Sequence, residues 1–507
     1  MTDVADLLAA PAPPEFPREL AGRGLIAGLV AEMVSDLGDR AAADLDALGT
    51  ADPGSGALGA IRAHFLHAIW QLLGSHVRDQ SRIWQASRPV APGSPGQPAV
   101  DGAGFAAYMR ADGGTAMLER LPGLEPLVAS VARLEVQATA TLLARAAGDA
   151  DALGAQFGGD RHLGPLIDAS LGLSDPHNRR SAVAALSFAG GVHVVCKPRP
   201  VAMERGLSSA VDWLRLRSGL DLPAGLAVLE RDGYGWCEFV QRRPCARRED
   251  VDLYFRRLGV LAGVLEALAA TDCHADNFIA RGAEPILVDA ETLLHPRMLA
   301  SPGFSLRETE IVPSRVRGPS GQTIDYPGFD RAPAAQALDL MTATNLPCWS
   351  GRVHHLRDHH RSFEAGVDLT RQTLRDLGDE LTDADGPLAA LADRPARVVL
   401  RPTAMYGALL AHLTSARALH SDDGGWPRVE RELRRYQDPV LSPEVWHVVQ
   451  RAELDALART DVPYFLADTG TGDLRTADGT VLAHQALEPV LKQLPAARRF
   501  SSRTPRD

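Results

Sequence analysis

The chain has 507 residues and a formal net charge of -11, with 45% apolar and 23% charged residues. The apolar share excludes bulk disorder, and the length predicts roughly two to four domains or subdomains. The acidic balance excludes nucleic acid as the main partner, because a phosphate backbone needs a basic face.

The N-terminus, MTDVADLLAAPAPPEFPREL, is acidic and Pro-rich. It lacks the basic start and apolar stretch of a secretion signal. No run of about 18 uncharged apolar residues follows, so no membrane span is expected. Residues 22–150 read as mainly helical. Phe65, Ile69, Leu72 and Leu73 recur at helical spacing, as do Leu127, Val131, Leu134 and Leu142. Between them RPVAPGSPGQPAVDGAG, residues 88–104, reads as a loop. A soft boundary is expected near 148–160.

From about 165 the pattern changes to strands. SAVAALSF and VHVVCK flank Ala189-Gly190-Gly191, a hairpin signal. Val192, Val194 and Cys196 should share one face, with His193, Val195 and Lys197 on the other. LAVLERDGYGWCEFV reads as a second hairpin around Asp232-Gly233. A helix follows at about 250–270, with Phe255, Leu258, Leu261, Leu265 and Leu268 as its apolar stripe. Next come TDCHADNFIA and then EPILVDAET, a short buried strand ending in acid. Residues 301–335 are rich in Gly, Pro and Ser and read as a flexible loop. The chain beyond 335 reads as largely helical, and the basic tail ARRFSSRTPRD as frayed. No internal repeat is found. The expected organisation is therefore a helical region over 1–160, a core over 161–300, a loop over 301–335 and a mainly helical region over 336–507.

The five cysteines, Cys196, Cys237, Cys245, Cys273 and Cys348, form no CxxC and no Cys/His pair at zinc spacing. They read as reduced thiols of a cytoplasmic protein without zinc.

One constellation carries chemistry. Phosphoryl transfer needs a cation for the nucleotide phosphates, oxygen ligands for magnesium, and a carboxylate at the attacking hydroxyl. Protein kinases place the lysine on a strand and the base Asp five residues before a metal-binding Asn, with a second metal Asp after a short strand. Here Lys197 ends a strand, Asp272 precedes Asn277 by five, and Asp289 ends ILVD, with Glu291 two residues on. His274 inside the loop makes the form DxHxxN, nearer to lipid kinases than to HRD. Each piece alone has a structural reading. A strand-end lysine is usually solvated, and an Asp after a helix is usually a cap or turn residue. Four pieces in order and at spacing favour a nucleotide site.

HVVCKPRP, YFRRLGVLAGVLEALAATDCHADNFIARGAEPILVDAETLLHP, SDPHNRRSAVAALSF, RVVLRPTAMY and LARTDVPYF together resemble the dehydratase half of class II lanthipeptide synthetases (LanM). The likeness runs from about 165 to 470. It implies an α+β fold: a lipid-kinase-like, two-lobed core with a mixed or antiparallel sheet, elaborated by N- and C-terminal helical regions. It implies a Ser/Thr dehydratase acting on a ribosomal precursor peptide with a leader. ATP and Mg2+ serve phosphorylation, and elimination of phosphate then gives dehydroalanine or dehydrobutyrine.

Position by position, the resemblance assigns Lys197, Asp272, His274, Asn277, Asp289 and Glu291 to phosphorylation. Lys197 would hold the nucleotide, with Asn277 and Asp289 as the Mg2+ ligands. It assigns Arg397 and Thr403 to elimination, with Asp175, His177 and Tyr406 in support. A cation such as Arg397 can neutralise a leaving phosphate. The elimination base stays open between His177 and Asp272. Each also has a bland reading: DPH as a turn, Thr403 as a helix cap, Tyr406 as core.

LanM proteins carry a zinc-dependent cyclase region rich in Cys and His. No cysteine follows Cys348, so cyclisation is not expected of this chain, and a separate cyclase or other modifying enzyme is implied as a partner. The competing readings are a kinase-like phosphotransferase that stops at the phosphorylated product, and a non-catalytic protein that binds the precursor.

Overall fold

The computed structural model describes residues 25–50, 56–87, 102–296, 305–317, 323–330 and 345–490. The N-terminal stretch, most of the 88–104 loop and the basic tail, all read from sequence above, lie outside the described residues. Two compact units interleave along the chain. The first takes residues up to Cys196, Pro402–Arg435 and Arg451–Pro463; the second takes Lys197–Arg401, Tyr436–Gln450 and Tyr464 onward. The expected regions were instead consecutive.

Long helices dominate the first unit: Leu25–Ala47, Gly56–Ala86 and Leu124–Gly148. Their apolar positions recur at helical spacing, so one face of each is buried. Phe65, Ile69 and Leu73 are buried, as are Val131, Leu134 and Leu142, while Leu72 and Leu127 are half-buried. By length and composition Leu124–Gly148 could cross a membrane, but half of its most apolar stretch is buried within the protein. It also holds Glu135, a buried carboxylate paired to Arg180. That is the pattern of a core helix.

The first unit also carries an antiparallel ladder. The strand β1 (Leu166–Ser170), missed in the sequence, pairs with β2 (Ala184–Phe188), and β2 pairs with β3 (His193–Lys197). Ala184 lies opposite Cys196 and Ser187 opposite His193. Val192, Val194 and Cys196 are buried while His193 is exposed, the alternation expected of a strand with one covered face. The turn needs its glycines. Gly191 has φ +74°, and a Cβ at Gly190 would lie 1.7 Å from the His162 carbonyl oxygen.

In the second unit β4 (Val228–Arg231) and β5 (Tyr234–Glu238) form the hairpin expected around Asp232-Gly233. The helix Glu249–Ala267 begins with Glu249, Asp250 and Asp252, acids that suit a helix N-terminus. It buries Phe255, Leu258, Leu261 and Leu265. It crosses the helix His360–Leu377 at backbone contact. A Cβ on Gly259 would lie 2.0 Å from the Phe363 carbonyl oxygen, and one on Gly366 would lie 2.2 Å from that of Arg256. Thr370 Oγ1 donates to Val260 O across the crossing (3.0 Å).

The next hairpin is β6 (Phe278–Arg281) with β7 (Glu284–Leu287). Within 301–335, read from sequence as loop, β8 (Ser314–Arg317) pairs with β9 (Thr323–Tyr326), and Ile311 and Phe329 are fully buried. Residues 301–304, 318–322 and 331–335 of that segment lie outside the described residues. A short pair, β10 (Cys348–Trp349) and β11 (Arg352–Val353), follows. The region after 335 is not only helical. The strands β12 (Pro395–Val398), β13 (Phe465–Asp468), β14 (Leu474–Thr476) and β15 (Val481–Ala483) form an antiparallel sheet in that order. The whole is α+β with antiparallel pairing.

Candidate active site

Lys197 is the last residue of β3, and the chain turns directly into the helix Ala202–Ser218. That turn brings Glu204 back onto the lysine. Lys197 Nζ donates to Glu204 Oε1 (2.9 Å) and to Val288 O (2.6 Å), and lies 3.4 Å from Asp289 Oδ1. The Glu204 side chain is wholly inaccessible and that of Lys197 nearly so, whereas the Asp289 side chain keeps 28% exposure. Arg199 joins the same carboxylates, with Nη2 at 2.7 Å from Glu204 Oε1 and 2.5 Å from Asp289 Oδ1. Its Nε lies 2.5 Å from Glu291 Oε2. Glu291 in turn binds Arg397 through Oε1 and accepts from the Tyr464 hydroxyl at Oε2 (2.8 Å). The Arg397 guanidinium sits over the Tyr464 ring, 5.1 Å from its centre.

Lys197, Arg199 and Arg397 thus face Glu204, Asp289 and Glu291 in one continuous network. At Lys197, Arg199, Arg397, Glu204 and Asp289 burial opposes charge, and the opposite charges prevail. Asp289 is held well below the usual carboxylate range: burial works against ionisation, but Lys197 and Arg199 overcome it. Lys197 is raised, because Asp289 and Glu204 outweigh its burial. The Asp289 carboxylate therefore stays ionised and reachable.

The loop at 271–277 is built by backbone bonds. Asp272 has left-handed backbone, φ +56°, and its carbonyl accepts from Asn277 Nδ2 (2.6 Å). Asn277 N donates to His274 O (3.0 Å), closing a single turn over Ala275–Asn277. His274 Nδ1 accepts from Asp276 N (3.2 Å). The neutral ring then carries its proton on Nε2, which points at Asp272 Oδ1 (3.4 Å). The Asp272 carboxylate raises His274 against its burial. Asp272 is therefore no helix cap; the preceding helix closes at Leu268. Two ties set the loop beside the ion network: Thr292 Oγ1 donates to Thr271 O, and Val288 N donates to Asn277 O (2.9 Å). The second tie extends the β6–β7 ladder, so Asn277 and Asp289 emerge at the same end of that hairpin.

Asn277 and Asp289 offer an amide and an ionised carboxylate, the hard oxygen donors that Mg2+ prefers. Among the described residues no cluster of three or more His, Cys, Asp or Glu could hold a metal ion. Mg2+ usually takes one or two carboxylates, with waters and substrate phosphates completing its shell. The donor set fits that pattern.

The remaining sequence-predicted residues belong to the first unit. Asn178, Arg179 and Arg180 are all left-handed, with φ between +42° and +63°. Their run points two successive N–H groups at one anion, the Asp461 carboxylate. Arg179 N reaches Oδ2 (2.7 Å) and Arg180 N reaches Oδ1 (2.8 Å). Val462 N donates to Pro176 O (2.8 Å), and His177 Nδ1 donates to Val462 O (2.7 Å). The DPH and RTDV motifs, far apart in sequence, are thus one structure. Asp175 itself is exposed. Thr403 is exposed at the first position of the helix Thr403–Leu413, which Pro402 caps, so the cap reading of Thr403 does not hold. Tyr406 is buried among Leu409, Val429, Leu433, Leu457 and Val462, and its hydroxyl donates to Glu453 Oε1 (2.7 Å).

Sequence reasoning missed Glu204, Arg199, His295 and Glu310. His295 Nε2 accepts from Val399 N (3.0 Å), and burial lowers this ring to about 4. Glu310 neighbours Asp272 and His274; burial first, then the Asp272 charge, pushes it up to about 7. None of the four had a local signal, since each meets its partners only through the fold.

A family model described as a domain of unknown function, DUF4135, matches residues 121–331 and 325–468, well over half of the chain. The chain belongs to the DUF4135 family. DUF4135 domains are found in LanM lanthipeptide synthetases, so the resemblance read from the motifs is borne out. A stretch of 71 residues is also 37% identical to the lacticin 481/lactococcin biosynthesis protein LcnDR2 of Lactococcus lactis subsp. lactis. That stretch covers 14% of this DUF4135 chain and 8% of the relative.

Proposed function

We propose that this DUF4135 protein is a lanthipeptide-type Ser/Thr dehydratase of the cytoplasm, with a lipid-kinase-like core. It phosphorylates Ser or Thr of a ribosomal precursor peptide with ATP and then eliminates phosphate. The observation that carries this reading is the buried Lys197–Glu204 pair set against Asp289. A strand lysine paired to a helix glutamate is a working part of kinase sites.

In this reading Lys197 holds the ATP phosphates, oriented by Glu204, and Arg199 fixes the Asp289 carboxylate. Asp272 takes the proton of the substrate hydroxyl, with His274 orienting it. Asn277 and Asp289 would hold Mg2+, which neutralises charge on the phosphate oxygens when bound. Arg397, steered by Glu291 and Tyr464, carries the charge that a leaving phosphate dianion requires. The family pattern also assigns Thr403, Tyr406, Asp175 and His177 to elimination. A separate cyclase or other modifying enzyme would act on the product.

Incubation with a candidate Ser/Thr-containing precursor peptide and ATP labelled in the γ-phosphate tests the first half. Label should pass to Ser or Thr only with Mg2+, and Lys197→Ala should abolish transfer. Transfer unaffected by Lys197→Ala would refute the assignment.

A further inference from the structure

Glu310 occupies a place for which nothing above assigns a role. Its backbone is left-handed, φ +62°, a region where glycine rests easily and glutamate does not. Asp272, at φ +56°, is in the same region. Such backbone persists only where surrounding contacts hold it, and it gathers at functional sites. The contacts here are specific. Thr309 is fully buried, and its carbonyl accepts from Cys273 N (2.9 Å). Its Oγ1 donates to Leu306 O (2.7 Å) and accepts from Ile311 N (3.3 Å). Ile311 is fully buried, and its carbonyl accepts from Phe329 N (3.1 Å). The residue before Glu310 is thus bonded to the residue after Asp272, and the residue after Glu310 is pinned in the core.

This strut sets the Glu310 carboxyl beside Asp272 and His274 while leaving it partly exposed. In the same loop Asp276 Oδ2 lies 3.7 Å from His274 Nδ1, and Cys273 is buried and pushed up by its burial, then by Asp272 and Glu310. Removing a carbon-bound proton calls for a stronger base than an ordinary carboxylate. Burial next to another negative charge makes such a base of Glu310, and a group that titrates near neutral pH can both take and return a proton.

We propose that Glu310 is the proton acceptor of the elimination step, taking the α-hydrogen of the phosphorylated serine or threonine; this rests on the dehydratase reading above. The Cα–H electron pair becomes the Cα=Cβ bond. The Cβ–O bond breaks, and phosphate leaves with its electrons. The Glu310 carboxylate becomes a carboxylic acid and returns the proton to solvent. Asp272 serves the hydroxyl proton of phosphorylation and Glu310 the carbon-bound one.

The test uses the full chain with Glu310→Gln and with Glu310→Gly, which suits the left-handed backbone should Gln not fold. The probes are a candidate Ser/Thr-containing precursor peptide that the wild-type protein modifies, given with Mg-ATP, and the same peptide synthesised with one phosphoserine. Both variants should accumulate phosphopeptide and release phosphate from the phosphoserine peptide at least about 100-fold more slowly than wild type. The neutral-pH inflection of the wild-type release rate should vanish in Glu310→Gln. Release at the wild-type rate, or a slower rate that keeps the inflection, would overturn the proposal. Wild-type protein that releases no phosphate from the phosphoserine peptide would instead overturn the dehydratase reading, and the proposal with it.

Discussion

Lys197 and Glu204 form an ion pair sealed from solvent: Nζ lies 2.9 Å from Oε1, and the glutamate side chain is wholly inaccessible. The pair joins the end of a strand to the first turn of the next helix, seven residues on. Arg199 bonds the same oxygen at 2.7 Å. Glu204 therefore neutralises two buried cations and aims both at Asp289.

Removing it should be costly. Glu204→Ala leaves Lys197 and Arg199 with less than their full complement of negative charge, and breaking a buried pair typically costs about 3–5 kcal/mol. The urea midpoint should fall accordingly, and label transfer from ATP should be lost. A variant with wild-type stability would show that the pair is not the anchor described.

The two halves of the proposed reaction separate by residue. Asp272→Ala and Asp289→Asn should abolish phosphorylation, each by orders of magnitude. Arg397→Ala and Thr403→Ala should let phosphopeptide accumulate. Clean dehydrated peptide from Arg397→Ala would refute its role in elimination. Substrate mass spectra check both outcomes.

His295 predicts a pH dependence. Its folded-state value of about 4 lies below the usual histidine range. The neutral ring that binds Val399 N is favoured by folding, so the unfolded chain binds the extra proton. Stability from this group is complete above about pH 6.5 and is lost as pH falls towards 4. The loss should reach roughly 3 kcal/mol. Urea unfolding at intervals across that window should show the slope, and His295→Gln should flatten it.

At the crossing of the helices Glu249–Ala267 and His360–Leu377 the fold depends on glycine. Gly259→Ala would place a methyl group 2.0 Å from the Phe363 carbonyl oxygen. The helices must part, at a cost of about 1–3 kcal/mol, which a lowered urea midpoint would report.

Much of this candidate site was legible because its residues sit at the ends of local elements. Lys197 closes an alternating strand, Asp272 and Asn277 follow an amphipathic helix, and Asp289 follows a buried strand; each is readable within ten residues or so. Glu204 was not, because an acid in a first helical turn reads as a dipole partner, and only the fold buries it on Lys197. Glu310 and His295 are likewise defined by segments distant in sequence. The sheet β12–β15 was missed because strands of three or four residues are too short for alternation to be counted. The tie between DPH and Asp461 needs three left-handed residues, none of them glycine, so no sequence cue marked it.

The mass of the precursor peptide after incubation with this protein, ATP and Mg2+ tests the central claim most directly. The account predicts loss of one water per modified Ser or Thr with wild type. With Arg397→Ala it predicts gain of one phosphoryl group per site. A wild-type product that keeps its phosphate, or a peptide of unchanged mass, would contradict it.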